Sequence, residues 1–232
     1  MLVLNRQEAS HHRTVEQVMN VSAGEIEIYD IIAPAKFDDS DPVVTAEDVI
    51  NALDELDGDV TLRINSRGGE VGTALTIYNR LKDYDRGSIT AVVDGYAFSS
   101  AGWIPMAADS REINNGGIFM LHNPHMYPAV TSLDDLDSIK NQWEAHHNSI
   151  VSIFTAAVNK SAEEISNLME KETFFSAEDA VTEGFFTKVR GSKANLSSLN
   201  CAPIASVPEE FVQNQTVDAT ELRTRRQSIL GV

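Results

Sequence analysis

Residues 25–31 (E-I-E-I-Y-D-I) alternate apolar with polar positions, the period-two pattern of a half-buried strand. Residues 33–42 carry two prolines and several aspartates and predict a loop. From Thr45 the run V-I-N-A-L-D-E-L is helical, with Thr45 placed to cap it, acidic residues in its first turn, and Asp57-Gly58 to end it. A strand at 60–65 leads through S-R-G-G into a helix at about 73–84. The order then repeats: a strand at 89–94, a tight turn G-Y-A-F-S-S-A-G, and an apolar helix at 101–108. A short apolar strand at 118–122 precedes one long helix at 133–158. Leu133, Leu136, Ile139, Trp143, Ile150, Ile153, Phe154 and Ala157 recur along that helix at helical spacing. Helices at 162–169 and 177–183 follow, the second closed by Gly184. Strands separated by helices predict an α/β domain with a mostly parallel sheet.

Composition narrows this picture only in places. A chain of 232 residues buries enough surface to need no disulfide or metal staple, and its single cysteine, Cys201, forms no internal disulfide. The polar, aperiodic start predicts a mobile arm at 1–20, ahead of a domain at 21–190. A Ser-, Asn-, Gln- and Thr-rich stretch at 191–232 reads as a tail, disordered or docked. No signal-peptide core and no stretch near 18 apolar residues is visible, so the expected location is cytoplasmic, off the membrane. The formal charge of −17 argues against binding nucleic acid through its phosphates.

Four segments carry candidate chemistry. In D-G-Y-A-F-S-S-A-G (94–102) a strand enters a turn of small residues with serines at its apex and a helix behind it. That layout projects a hydroxyl and offers helix N–H groups to an oxyanion, although serine is also an ordinary helix cap. Paired glycines in I-N-S-R-G-G-E (64–70) free backbone N–H groups to face a ligand, or make a plain strand-to-helix turn. F-M-L-H-N-P (119–124) ends an apolar strand on His122, and M-E-K-E-T-F-F-S-A-E-D-A (169–180) sets carboxylates beside a strand-like T-F-F.

Taken together and in this order, these segments make the chain similar to the proteolytic subunit of the Clp protease and to the Clp-like proteases of tailed-phage head gene clusters. The family's I-N-S-P-G-G is met by Ile64–Gly69 with Arg67 in place of proline. Its G-x-A-x-S-M-G is met by Gly95–Ala101, its M-I-H-x-P by Met120–Pro124, and its acidic stretch before F-x-S-A-x-E-A by Glu170–Ala180. The resemblance spans about residues 24–190. It implies the Clp/crotonase-like α/β fold of repeated β-β-α units with a long handle helix. It also implies a serine endopeptidase with Ser99 as nucleophile, His122 as general base and Glu172 as the orienting acid, with Glu170 competing for that last role. Gly68 and Ser100 are the expected oxyanion-hole donors, and Gly69 and Asn123 the expected substrate contacts. The resemblance further implies a homo-heptameric ring, stacked in pairs through the handle helix, acting on peptides or unfolded protein. No metal or organic cofactor is expected. The chain has no G-x-x-x-x-G-K-[ST], so ATP dependence would come from a separate AAA+ unfoldase; in a phage setting the partners would be capsid proteins. Readings as a crotonase-like acyl-CoA enzyme or as a catalytically impaired ring scaffold rank below the peptidase.

Overall fold

Thr45 caps the first helix as its position predicts. Its hydroxyl accepts from the Asp48 N–H, and the Asp48 carboxylate accepts from the Thr45 N–H at 2.9 Å, closing a reciprocal capping box. The computed structural model describes residues 24–36, 43–126 and 133–191. The predicted arm at 1–20, and the predicted tail apart from Gly191, lie outside the described residues, as do most of the proline-containing loop and the whole second unit, Lys193–Val232.

In chain order the elements are β1 (Glu25–Tyr29), β2 (Ile31–Ile32), β3 (Val43–Val44), α1 (Ala46–Glu55), β4 (Val60–Ser66), α2 (Val71–Lys82), β5 (Ile89–Phe98) and α3 (Ser100–Trp103) with a 3-10 turn (Ile104–Ala107). They continue with β6 (Ser110–Asn114), β7 (Ile118–Leu121), α4 (Leu133–Ala157), α5 (Ala162–Glu170), β8 (Thr173–Ser176), α6 (Ala177–Thr182) and β9 (Lys188–Arg190). The main sheet runs β1-β4-β5-β6-β9 in parallel. The second half of β5 turns away to pair with β7, and β8 adds antiparallel to β7. This is the α/β class with a mostly parallel sheet that the sequence predicts.

Three expectations are corrected. The predicted strand at 25–31 breaks at Asp30, whose φ of 80° interrupts the ladder. Residues 95–98, predicted as part of a tight turn, remain in β5: Tyr96, Ala97 and Phe98 pair with Ile118, Phe119 and Met120. The turn is confined to Ser99. The helix predicted at 101–108 starts one residue earlier and tightens into 3-10 geometry from Ile104, where Pro105 lacks the N–H an α-helix needs. Strands β6 and β9 were not anticipated.

The sheet's buried side carries Ile26, Ile28, Leu62, Ile64, Ala91, Val93 and Ile113, packed in one core with Leu53, Ile77, Ile104 and Phe154 from the helical segments. Most alternate positions are polar, buried Val92 being an exception, and one carboxylate joins four strands there. Asp94 of β5 accepts from the Tyr29 hydroxyl at 2.6 Å, Arg63 Nε at 2.9 Å and Asn114 Nδ2 at 2.8 Å. Tyr29 and Asn114 end their strands, while Arg63 and Asp94 stand mid-strand, just before the irregularity between β4 and β5. Asp94→Ala should cost about 2–3 kcal/mol, since it removes the hydrogen-bonded carboxylate of a half-buried guanidinium and leaves it only the 3.8 Å ion pair with Glu25 among the described carboxylates. Urea unfolding at neutral pH measures it, and a loss within 0.5 kcal/mol (about the scatter of an ordinary surface change) would show the network to be incidental.

Candidate active site

β5 delivers Ser99 through a local detour. The β4–β5 register shifts between Ile64 and Ser66, and there Asn65 Oδ1 accepts from the Tyr96 N–H at 3.2 Å in place of a backbone carbonyl. Gly95 permits this approach: a Cβ on it would lie 2.7 Å from that oxygen. The chain then enters Ser99 at φ 54° and ψ −125°, a conformation that costs a non-glycine residue about 1–3 kcal/mol. Packing on both sides holds it. The Ser99 N–H donates to the Met120 carbonyl at 3.1 Å, and helix α3 presses so closely on β7 that a Cβ at Gly102 would meet the same carbonyl at 2.8 Å.

The two serines separate sharply. Ser99 Oγ lies 2.7 Å from His122 Nε2. Ser100 is 2% exposed, and its Oγ is turned into the S-R-G-G turn, where it accepts from the Gly69 N–H at 2.8 Å. Its backbone N–H opens α3, where no intrahelical carbonyl faces it. The Gly68 N–H donates to Ser66 Oγ at 3.0 Å. That turn is tightly built: a Cβ at Gly69 would stand 1.9 Å from the Ile32 carbonyl oxygen, and the Glu70 N–H donates to the same oxygen at 2.9 Å. Arg67, where the family pattern has proline, is exposed.

His122 sits half-buried just past the end of β7. Its Nδ1 is buried, with no hydrogen-bond partner among the described residues. Burial pushes its pKa below the ordinary histidine value, and His125, whose ring centroid is 4.6 Å away, pushes it the same way. Glu172 acts on it in the opposite direction. Glu172 itself is exposed, at φ 48° in the turn after α5. Its N–H donates to the Met169 carbonyl at 3.2 Å, and the Asn123 N–H donates to that same carbonyl at 3.2 Å. Glu170, the competing acid, is exposed at the last position of α5. The Asn123 side chain, expected to face substrate, lies 3.0 Å from His147 Nδ1, and Trp143 Nε1 donates to the Pro124 carbonyl at 2.8 Å. His125 beside His122, and Trp143 and His147 on the loop that follows it, are the residues that sequence reasoning misses. Trp143 had been assigned to an apolar stripe, and nothing local in the sequence pairs His147 with a loop 24 residues earlier.

A serine hydroxyl at a strained strand-to-helix turn, within hydrogen-bond distance of a histidine ring nitrogen, has the layout that serine hydrolases use for nucleophile and base. The sequence profile of the Clp protease family matches residues 25–193, and the chain belongs to that family. Among curated relatives it is 27% identical, over 137 residues, to the ATP-dependent Clp protease proteolytic subunit 1 of Thermobifida fusca (strain YX). That match spans 57% of this chain and 60% of the relative's length. A ClpP1 mutant from Listeria monocytogenes has the same fold, with a TM-score of 0.62 at 21% identity, over 73% of this chain and 92% of that one. No helix among the described residues is long and apolar enough to cross a membrane.

The causes of the His122 shift predict how its titration responds to substitution. With its pKa depressed, the ring stays neutral to lower pH than a free histidine, which titrates near pH ~6.5. His125→Gln removes a competing positive charge and should move the midpoint up; Glu172→Gln removes a stabilising negative charge and should move it down. Histidine NMR titration reads both directions, and shifts of the reversed sign would discard this electrostatic account.

Proposed function

We propose that the protein is a serine endopeptidase that hydrolyses peptide bonds through an acyl-enzyme, with Ser99 as nucleophile and His122 as general base. The observation that carries this reading is the 2.7 Å contact between Ser99 Oγ and His122 Nε2 at a positive-φ apex. Ser99 Oγ attacks the scissile carbonyl carbon while its proton passes to His122 Nε2. His122 then gives that proton to the departing amine. Water repeats the sequence in reverse roles, releasing the acid and restoring the hydroxyl. The Ser100 N–H faces the developing oxyanion, and Gly68 joins it by exchanging Ser66 Oγ for the substrate oxygen. One such donor is worth about 3–4 kcal/mol in the transition state.

Glu172 is the acid in this reading. It is the carboxylate that acts electrostatically on His122, whose buried Nδ1 needs an acceptor once the ring is charged. Assembly into a ring belongs to the proposal as well, supported by apolar side chains left on the surface. Phe174 is 55% exposed and Leu136 50%, and Tyr96, at 40%, stands 4.7 Å from Phe98, which in turn meets Phe174 at 5.6 Å. Such a contiguous aromatic patch is a docking surface more often than a solvated one.

Labelling with a fluorophosphonate tests the nucleophile. Ser99→Ala should abolish the label and Ser100→Ala should largely keep it; the opposite pattern moves the nucleophile one residue on. Native mass spectrometry of the same samples reads the assembly, and a fully labelled, fully active monomer would remove the ring. For the acid, Glu172→Gln should lower kcat by about a hundredfold or more while the protein stays folded, because an amide can select the wrong imidazole tautomer. If Glu170→Gln is the crippled variant instead, the role passes to Glu170.

A further inference from the structure

The orientation of His122 poses a problem that its own contacts do not solve. Its Nε2 is spent on Ser99 and its Nδ1 has no acceptor among the described residues, so beyond the edge contact with the exposed His125 ring its direction depends on the backbone that carries it. That backbone is pinned immediately afterwards. Asn123 donates its N–H to Met169, and Pro124 offers its carbonyl to Trp143. A further tie among the described residues is the Asn123 side chain, and it ends on His147 of α4.

His147 is engaged on every side. Its Nδ1 lies 3.0 Å from Asn123 Oδ1, and because a carbonyl oxygen only accepts, Nδ1 carries a proton and donates it there. Nε2 lies 3.2 Å from the Ser166 hydroxyl of α5. The ring stacks on Trp143 with centroids 4.9 Å apart and planes 14° from parallel. One imidazole therefore joins α4, α5 and the loop behind His122. Trp143, the residue it stacks on, makes the other side-chain bond to that loop.

We infer that His147 is a positioning residue for the general base: acting through Asn123, it sets the direction from which His122 meets Ser99. This rests on the Ser99–His122 reading of the site. It also changes the role of Asn123, from substrate contact to the strut between the two histidines.

The two ring nitrogens make the inference separable from simple packing. An asparagine amide at 147 reproduces the donor near Nδ1, whereas a glutamine amide reaches the position of Nε2. Phenylalanine keeps the stack on Trp143 and makes neither bond. The experiment compares His147→Asn, His147→Gln and His147→Phe on the full chain by peptidase kinetics, fluorophosphonate labelling rate and thermal midpoint. His147→Phe should lower kcat and labelling rate by about ten- to a hundredfold, as expected for a displaced catalytic group, with KM within twofold. His147→Asn should recover most of that loss and His147→Gln should not, even where both melt at the same temperature. Asn123→Ala should match His147→Phe, and the double variant should be no worse than either alone.

The inference fails if activity follows thermal midpoint alone, or if asparagine and glutamine behave alike. It also fails if Asn123→Ala raises KM while the His147 variants are silent, which would return Asn123 to the substrate. An unlabelled wild-type protein would instead strike at the Ser99–His122 reading itself. If the phenylalanine variant does not fold, the asparagine–glutamine comparison decides by itself.

Discussion

Strand β5 pairs twice along one edge, and the site depends on that. Its first half lies beside β6 and its second half beside β7, with β4 along the opposite edge throughout. The changeover falls at Asp94 and Gly95. There a carboxylate gathers side chains from three neighbouring strands, and a glycine admits the Asn65 amide. Because β7 follows the diverging half of β5, its end arrives level with the Ser99 turn. Ser99 Oγ and His122 Nε2 are thus brought to 2.7 Å by hydrogen-bonded register, and no long flexible side chain is needed to bridge them. The strain at Ser99 is sustained by the same arrangement, since its N–H is bonded to a β7 carbonyl.

Most of this was readable where the physics is local. Thr45, Asp48 and the alternation in β1 act within a few residues, so pattern and propensity suffice. The order of the serine, histidine and acidic segments was readable as a set. β6 and β9 escaped because S-R-E-I-N and K-V-R each show too little alternation; Ile113 alone of the first is fully buried. G-Y-A-F looked like a turn because glycine usually marks one. Here it serves a close approach inside a continuing strand. The environment of His122 was illegible for another reason. His125 is near in sequence, yet Trp143 and His147 meet the loop, and Ser166 meets His147, only once α4 and α5 have packed together against it.

The long helix α4 also divides its labour in a way that its apolar spacing alone did not reveal. Ile150, Val151, Ile153 and Phe154 are buried in the core, Trp143 and His147 face the loop behind His122, and Leu136 is exposed. One element thereby touches core, site and surface in succession. The end of α4 that carries exposed Leu136 is thereby continuous, through Trp143 and His147, with the loop behind His122.

The Met169 carbonyl receives N–H groups from both Asn123 and Glu172, the neighbours of the base on one side and the acid on the other. A single peptide unit is therefore the common datum for two members of the proposed triad. When α5 drifts, both are carried the same way, and what changes is their position relative to Ser99. Thermal motion of that helix is common-mode noise for the histidine–carboxylate pair. The tolerance the site must hold tightly is the one between β7 and the Ser99 turn, which strand pairing and the bond from the Ser99 N–H to the Met120 carbonyl set.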